Sequence, residues 1–402
     1  VRVMLEHSYS NNFQFHPSTF QPTNVAMLST YPPTECGIAT FAQSLTKSLE
    51  HNGANLNIFR LMNGDQSQSP KQVICEHYGK RDCDQTVEGL NQHDLAILQH
   101  EFGIFDGRDG DEVVSILENI EVPVITVLHT VLSNPTVNQR DIINEIARHS
   151  KALVTMTQSG KAKLVANYKV DATKVHVVPH GARPVNQNAK PTSLLPEKTR
   201  PRVLTWGLIG PGKGIEWAIA AMHQLKGSEI FPEYVVAGQT HPQVKLRQGE
   251  SYRNELKRVI HEFGLDEDIH LIDKYLNENE LDELIASADL VVLPYDSQEQ
   301  VTSGVLVEAL MAGKPIVATN FPHAREVLFD KSGILVNQKD PHGIAEGIRT
   351  IIGSKHRANA MKARMNRKTS SLLWTSIGQR YLEIAHSIHG EKVSDSRQHV
   401  AS

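Results

Sequence analysis

Short apolar runs rich in β-branched residues alternate along most of this chain with amphipathic segments of helical length. The runs occupy 24–28, 56–59, 95–98, 122–128, 152–155, 203–206, 234–237, 269–272, 290–293, 315–319 and 334–336. Their nearly continuous hydrophobicity is typical of strands in a parallel sheet that is covered on both faces. The segments between them would form the helical crossovers that parallel strands need. The pattern therefore predicts an α/β fold of the doubly wound type.

A proline-rich break divides this pattern into two halves. Pro184, Pro191, Pro196 and Pro201 stand among Asn, Ser, Thr and Lys, a composition that suits a linker. A chain of 402 residues is also too long for one hydrophobic core. We therefore predict an N-terminal tail at 1–22, Rossmann-like domains at 23–183 and 202–371, a linker at 184–201, a segment at 372–390 with an amphipathic helix at 374–389, and a disordered tail at 391–402.

Charge and cysteine content exclude several classes of protein. The net charge of −4 provides no basic field for nucleic acid, so no such partner is expected. No apolar run reaches the ~18 residues of a membrane span, and residues 1–22 lack the features of a secretory signal. Three cysteines are too few for a disulfide framework, which favours a cytoplasmic protein. The basic stretch 355–368 is interpreted as a solvated helix face, with weak contact to an anionic membrane as the alternative.

The turn after the first strand is a candidate anion site. Gly37 lies near the start of the helix that follows, where unpaired N–H groups and the helix dipole favour an anion. The loop contains neither GxGxxG nor a Walker A sequence, so it does not indicate a dinucleotide or ATP. The alternative is an ordinary turn in which Gly37 serves packing.

The second half opens with a similar arrangement. A strand runs into Gly207, and further glycines and Lys213 follow before the next helix. Glycines let a backbone approach a ligand closely, and a lysine at a helix start lies where a phosphate would bind. A phosphate site is one interpretation, and a solvated surface lysine is the other.

A second helix start follows the strand at 290–293. Thr302 precedes N–H groups at Ser303, Gly304 and Val305, which we expect to be unpaired in the first turn. Glu308 lies one turn further along a helix that is otherwise apolar, where a carboxylate needs hydrogen-bond donors. Ribose hydroxyls would be suitable donors, and a structural salt bridge is the alternative.

Three histidines stand at or just after strand ends in the first half: His100, His129 and His180. Doubly wound folds place ligand contacts at such ends, although a single histidine there can be purely structural. Their spacing fits neither HExxH nor a Cys/His zinc motif, so no protein-bound metal is expected.

Four stretches together carry a resemblance to a known family. They are Cys-Gly-Ile-Ala-Thr-Phe from Cys36, Gln-His-Glu-Phe-Gly-Ile-Phe from Gln99 with Leu-His-Thr from Leu128, Gly-Gln-Thr-His-Pro from Gly238, and Pro294 through Gln300 with Ser-Gly-Val from Ser303 and Glu308. The chain resembles retaining glycosyltransferases of family 4, in a bacterial and archaeal branch. The resemblance implies a GT-B fold, in which two Rossmann-like domains face each other and a C-terminal helix crosses back to the first.

The resemblance also implies roles for individual residues. The donor would be a nucleotide diphosphate sugar, UDP- or GDP-linked, bound mainly by the second domain. Its diphosphate would meet Lys213, the amides of Ser303, Gly304 and Val305, and, on domain closure, Gly37. Glu308 matches the second glutamate of an E-x7-E element and would hold the ribose. His129 would touch the donor sugar, and the base would meet the backbone near Ile272 to Tyr275. The donor-binding set also includes Gly207 and Thr302.

The expected reaction is transfer of a hexosyl group to an acceptor hydroxyl with retention at the anomeric carbon. The acceptor, a saccharide or glycoconjugate, would lie on the first domain near His100, Glu101 and Phe102. A donor phosphate oxygen would take the acceptor's proton, and we expect no essential metal and no cofactor.

Two positions depart from the family pattern. Gln300 stands where the first glutamate of E-x7-E is expected, and Leu208 stands where an arginine usually follows Gly207. The amide of Gln300 could still contact the sugar, and Arg253 or Arg183 could supply the guanidinium. A non-catalytic nucleotide-sugar-binding protein and a sugar-nucleotide epimerase of the same architecture remain alternatives. A phosphorylase would need a lysine-bound pyridoxal phosphate, for which the sequence gives no sign.

Overall fold

The computed structural model describes residues 24–62, 64–186, 189–190, 192–297, 299 and 302–398, with the side chains of all but 389–398. The predicted tail at 1–22 lies outside these residues. The chain divides into two compact units. The first contains the described residues up to Gly181 and from Leu373 onward, and the second is Ala182–Leu372.

The first unit is built on a seven-stranded parallel sheet. Its strands are β1 (Asn24–Ser29), β2 (Asn55–Leu61), β3 (Val73–His77), β4 (Leu95–His100), β5 (Val124–Leu128), β6 (Ala152–Thr155) and β7 (Val175–Val177). Its helices are α1 (Gly37–His51), α2 (Cys83–Leu90), α3 (Glu112–Glu118), α4 (Val137–His149) and α5 (Gln158–Tyr168). The strand order is β3-β2-β1-β4-β5-β6-β7.

The second unit contains a six-stranded parallel sheet in the order β10-β9-β8-β11-β12-β13. Its strands are β8 (Arg202–Trp206), β9 (Glu233–Ala237), β10 (Ile269–Ile272), β11 (Leu290–Leu293), β12 (Ile316–Thr319) and β13 (Ile334–Val336). Its helices are α6 (Ile215–Leu225), α7 (Pro242–Gln248), α8 (Ser251–Glu262), α9 (Glu278–Ser287), α10 (Gly304–Met311), α11 (Pro322–Val327), α12 (Pro341–Ile352), α13 (Lys355–Asn366) and α14 (Thr369–Leu372). The prediction of two doubly wound α/β domains is confirmed.

Each sheet is apolar on both faces because helices cover both. In β1, Val25 and Met27 belong to one core cluster, and Ala26 and Leu28 belong to the other. This division follows from the alternation of side chains along a strand. The near-continuous hydrophobicity of β1 is thus the signature of a strand covered twice.

The hydrophobic pattern misses β3 and β7, which are the outermost strands of the first sheet. An edge strand is covered less, so its sequence is less apolar. In β3, Ile74 is 55% exposed and Glu76 interrupts the apolar run. β7 contains only three residues, with His176 at its centre.

The last helix, α15 (Trp374–Gln398), belongs to the first unit. Its predicted amphipathic character is confirmed, since Ile377, Tyr381, Ile384 and Ala385 lie in a core cluster with residues of α1. Gly378 allows the close approach of the two helices, because a Cβ there would lie 2.2 Å from Ser48 Oγ.

The helix α15 continues to Gln398, into the segment 391–402 for which the sequence predicts disorder. The segment after Gly390 contains no proline or further glycine, and Glu, Lys and Arg within it are good helix formers. Its polarity indicated exposure, which a solvated helix end satisfies as well as a disordered tail does. Residues 399–402 lie outside the described chain.

The described part of 184–201 contains no helix or strand, but it is attached to the second unit. Lys198 forms an ion pair with Asp289, and Arg200 forms one with Asp268, each at 2.7 Å.

The basic stretch 355–368 is largely solvated as predicted, except for Lys368. Lys368 is 8% exposed and pairs with Asp330 at 2.8 Å. Among the helices that the structure describes, none has the length and apolarity required to span a membrane.

We expect Ile377→Ala to destabilise the first unit by about 2–4 kcal/mol, because it leaves a cavity in a packed core. Ile377 is fully buried. Urea denaturation would measure the loss. Thr375→Ala, an exposed position on the same helix, is the control and should change stability by less than about 0.5 kcal/mol. Equal stability of the two variants would contradict the packing of α15.

Candidate functional site

Both sheets have a point at which the strand order reverses. The reversal lies between β1 and β4 in the first unit and between β8 and β11 in the second. Helices leave neighbouring strands there toward opposite faces, which opens a crevice at the carboxyl ends of the strands. The residues that follow β1, β4, β8 and β11 are therefore those best placed to bind a ligand.

The loop after β8 is held in an unusual backbone conformation by its glycines. Gly207, Gly212 and Gly214 have φ values of +118°, +89° and +62°, which residues with a Cβ rarely adopt. A Cβ on Gly214 would also lie 2.1 Å from the carbonyl oxygen of Pro294, in the loop after β11. Glycine at 214 therefore lets the two loops of this crevice pack against each other.

Lys213 lies between two of these glycines, directly before α6. Its Nζ lies 4.4 Å from the centre of the Tyr295 ring. Among the described residues, Lys213 has no carboxylate within salt-bridge distance. Together with burial, its charge lowers the pKa of His241 in the neighbouring loop. The lysine is thus a half-buried cation whose charge is not neutralised by a protein carboxylate.

The start of α10 differs in one respect from its prediction. The N–H of Ser303 is not unpaired: it donates to Nδ1 of the buried His323 at 2.8 Å. Ser303 Oγ in turn accepts from the N–H of Leu306 and caps the helix. The amides of Gly304 and Val305 remain as first-turn donors without an intrahelical acceptor. The expected cradle therefore has two backbone amides rather than three.

Glu308 lies one turn inside α10, on the side facing β8. Trp206 Nε1 donates to its Oε2 at 3.1 Å. The salt bridge considered as an alternative is not formed within the described residues, because Arg183 bonds Asp282 Oδ2 at 2.7 Å instead. Burial raises the pKa of Glu308, while the Trp206 hydrogen bond and the charge of Arg183 act in the opposite direction. The carboxyl group therefore has one fixed donor and retains capacity to accept from a ligand.

Arg253 does not provide a guanidinium for this crevice. Its side chain is buried, and it donates to the Gly238 carbonyl at 2.7 Å and pairs with Asp273 at 3.1 Å. Arg183 is likewise engaged by Asp282 and by the carbonyl of Glu278. Both arginines hold loops together, which leaves Lys213 as the cation at the loop after β8.

The remaining predicted positions in this unit are spread along the same edge of the sheet. Leu208 follows Gly207 and is half-buried. Ile272 ends β10, where its carbonyl accepts from the N–H of Gly238, and Tyr275 is half-buried in the loop beyond. Thr302 is half-buried directly before α10. Gln300 lies outside the described residues.

In the first unit, Gly37 is the first residue of α1. Cys36 caps this helix, because its Sγ accepts from the N–H of Ala39. A Cβ built on Gly37 would have no other heavy atom within 4 Å. Its backbone does not have a positive φ. Neither packing nor conformation therefore requires glycine here, so the packing alternative is not supported, and space for a ligand is left above the helix start.

Two of the three predicted histidines pack against Phe41 of α1, and the third, His100, is linked to one of them through its backbone. The ring of Phe41 lies 4.8 Å from that of His129 and 5.2 Å from that of His180. The backbone N–H of His129 donates to the backbone carbonyl of His100. His129 Nε2 lies 2.7 Å from Oε1 of the buried Gln99. With Gln99 as acceptor, Nε2 carries the proton and Nδ1 is left as an acceptor.

Burial keeps these imidazoles neutral. It lowers the pKa of His100 and of His129 to about 3, and for His129 the charges of His180 and His100 add to the effect. Burial lowers the pKa of His180 to about 4, partly offset by its hydrogen bond to the Gly181 carbonyl.

The acceptor candidates differ in exposure. His100 is fully buried, and neither of its ring nitrogens has a hydrogen-bond partner among the described residues. Glu101 and Phe102 are half-buried at the turn after β4, where Glu101 accepts from the N–H of Gly103. Glu101 and Phe102 are thus the members of this set that a ligand can reach.

Sequence reasoning missed Trp206, Gln99 and His323. Each contacts a predicted residue that is distant in the sequence. Trp206 contacts Glu308, Gln99 contacts His129, and His323 contacts Ser303. Trp206 and Gln99 lie at or next to the carboxyl ends of β8 and β4, a position that could have identified them. His323 had no comparable sequence signal.

Comparisons with known proteins agree with this architecture. Residues 186–368 match the family described as "Glycosyl transferases group 1". This match covers most of the second unit and less than half of the chain.

Curated relatives include proteins named D-inositol 3-phosphate glycosyltransferase. The one from Xylanimonas cellulosilytica is 23% identical over 66% of this chain and 67% of its own length. The one from Corynebacterium kroppenstedtii is 26% identical over 60% of this chain and 54% of its own length. The matches therefore span between about half and two thirds of these relatives.

Solved structures share the fold over nearly the whole chain. A glycosyltransferase from Rickettsia africae has a TM-score of 0.72 at 17% identity and covers 92% of this chain and 99% of its own. The Anabaena protein HepE, solved in complex with UDP, has a TM-score of 0.71 at 16% identity and covers 90% of this chain and 100% of its own. The two units are thus Rossmann-like domains of the GT-B type.

We expect the first unit to lose stability as pH falls from 7 to 5. A histidine with a pKa near 3 when folded and 6.5 when unfolded binds its proton first in the unfolded chain. His100 alone should contribute about 1–2 kcal/mol over this range. Amide hydrogen exchange of β4 and β5 would measure it. His100→Leu should flatten the pH dependence, whereas His261→Ala, at an exposed position, should not. An unchanged slope in His100→Leu would contradict the assignment.

Proposed function

We propose that this chain is a glycosyltransferase that moves a hexosyl group from a UDP- or GDP-linked sugar to an acceptor hydroxyl. The observation that carries the proposal is the convergence of Lys213, the start of α10 and Glu308 at the strand-order reversal of the second unit. The family match over residues 186–368 supports it. HepE, which has the same fold, has been solved with UDP.

The diphosphate of the donor would bind between Lys213 and the amides of Gly304 and Val305. The lysine supplies a full charge without a protein carboxylate to compete for it, and the amides supply directed donors at a helix start. Negative charge develops on the diphosphate as the glycosidic bond breaks, so these groups would stabilise the transition state more than the ground state.

The ribose would bind to Glu308. Trp206 fixes Oε2 of the carboxylate at 3.1 Å, which leaves Oε1 to accept a hydroxyl. Burial disfavours the charged form of the Glu308 carboxyl group and so raises its pKa. Two ribose hydroxyls that donate to the carboxylate would compensate for this loss of hydration. The family resemblance further suggests that Gly37 would contact the diphosphate and that His129 would contact the sugar.

We further propose retention at the anomeric carbon, with a donor phosphate oxygen taking the proton from the acceptor hydroxyl. The family resemblance supports this step, which needs neither a second protein carboxylate nor a metal at the donor site. The acceptor would be a saccharide or glycoconjugate near Glu101 and Phe102, and the names of the curated relatives add phosphorylated inositol to the candidates. The cysteines, all present as free thiols, support the expected cytoplasmic location.

A non-catalytic nucleotide-sugar-binding protein is a second candidate. The observation in its favour is that Arg253, which could have replaced the arginine absent at Leu208, is engaged by Gly238 and Asp273. A thermal-shift screen of UDP, GDP, ADP and their sugars, followed by incubation with acceptors, separates the candidates. Binding without turnover on any acceptor favours the second, and conversion of the donor alone indicates an epimerase. The absence of any nucleotide-dependent shift would contradict both.

We expect Lys213→Ala to lower transfer by about 10²–10³, the loss typical of one preorganised donor at a developing charge. Steady-state kinetics with the donor found in the screen would measure it. Lys257→Ala is the control, because Lys257 is exposed on α8 of the same unit. Turnover that is the same in both variants would remove Lys213 from the donor site.

Glu308→Gln should weaken binding of the nucleoside diphosphate about tenfold, because an amide accepts ribose hydroxyls less strongly than a carboxylate does. Isothermal titration calorimetry with the nucleoside diphosphate would show the change. Glu267→Gln is the control, because Glu267 is exposed in the same unit, and it should leave the affinity unchanged. Unaltered affinity in Glu308→Gln would argue against the ribose contact.

A further inference from the structure

The first unit contains a buried cluster of three potential metal ligands outside the site described above. His77 ends β3, Cys83 begins α2 and Glu112 begins α3. One ligand atom from each lies within 4.8 Å of the other two. The side chains of His77 and Glu112 are 2% and 1% exposed, whereas Cys83 is partly exposed. The cluster is therefore enclosed on two sides and accessible from the side of Cys83.

The separations within the cluster match those of a small coordination sphere. His77 Nε2 lies 3.2 Å from Glu112 Oε1, and Cys83 Sγ lies 3.8 Å from the same oxygen. Tetrahedral zinc, with bonds of about 2.0–2.3 Å, places its ligand atoms roughly 3.3–3.8 Å apart. Nε2 of His77 and Sγ of Cys83 lie within 4.8 Å of each other, so small side-chain rotations would bring all three ligand atoms to these separations.

Neighbouring groups orient two of the ligands. Thr86 Oγ1 lies 2.9 Å from Nδ1 of His77, which directs Nε2 toward the cluster. The N–H of Asp106 donates to Glu112 Oε2 at 3.0 Å, which directs Oε1 the same way. Hydrogen bonds of this kind to the far side of a ligand are typical of metal sites.

The chemistry of the three side chains favours zinc. A buried thiolate next to a carboxylate requires a cation between them. A thiolate, an imidazole and a carboxylate together suit zinc better than magnesium or calcium, which prefer oxygen ligands.

We propose that His77, Cys83 and Glu112 form a binding site for a zinc-class divalent cation. On binding, the Cys83 thiol loses its proton to solvent, and the ion bonds to Sγ, Nε2 and Oε1, with water at the fourth position. The ion would join the edge strand β3 to α2 and α3. Because β3 lies two strands from β1 in the sheet, the site stabilises the fold and takes no part in transfer.

Cobalt substitution tests the proposal on the full chain after chelator treatment and tag removal. Co²⁺ should bind at one ion per chain, give a thiolate-to-cobalt charge-transfer band in the near ultraviolet, and be displaced by Zn²⁺. The band should disappear in Cys83→Ser and persist in Cys75→Ser and Cys36→Ser. Cys75 is the matched control, because it also faces α2, with Sγ 3.9 Å from Thr86 Oγ1, but lies outside the ligand set.

A second measurement covers the case in which Cys83→Ser folds poorly. Glu112→Gln keeps the thiol and a similar shape, so the charge-transfer band should persist while affinity for Co²⁺ falls at least tenfold. Zinc should also raise Tm in the wild type and in Cys75→Ser by more than in Glu112→Gln. A wild type without the band, or a band of equal strength in Cys83→Ser, would show that the cluster is only hydrogen-bonded, and would overturn the proposal.

Discussion

The structure depends on one constraint of parallel sheets: every strand delivers its carboxyl end to the same edge. Hydrophobic strands covered on both faces leave no polar chemistry within the sheet, so the functional side chains are confined to the loops that leave that edge. The reversal of strand order then selects the loops after β1 and β4 in one unit and after β8 and β11 in the other. Glu101 lies directly after β4, and Lys213 lies within the loop after β8, whereas His129 follows the neighbouring strand β5.

The sequence was sufficient to predict the described strands other than the edge strands β3 and β7, because buried strands have a hydrophobic pattern that does not depend on distant partners. It failed where the outcome depended on tertiary contacts. The amide of Ser303 was expected to be unpaired, but His323, which is 20 residues away along the chain, occupies it. The salt bridge considered for Glu308 was replaced by a hydrogen bond from Trp206. In both cases the residue and its position were predictable, and its partner was not.

The same limit explains why no sequence motif indicates the metal-ligand cluster. Zinc motifs are recognised by short spacings because they place both ligands of a pair on one turn or knuckle. His77, Cys83 and Glu112 instead come from the ends of three separate elements. They meet because β3, α2 and α3 pack side by side at one edge of the sheet. Only the fold brings these groups within reach of one ion.

The second unit separates its charges in a way that would orient a nucleotide. Lys213 and the amides of Gly304 and Val305 offer positive charge and donors at the loop ends. One helical turn deeper, Glu308 offers an acceptor, next to Asp282, which is engaged by Arg183. A ligand with an anionic end and a hydroxyl-bearing end can bind to both regions in only one direction. Its phosphates would lie at Lys213 and the amides, and its ribose would lie at Glu308. Reversed, it would place phosphate against carboxylate, so repulsion would enforce the orientation that transfer requires.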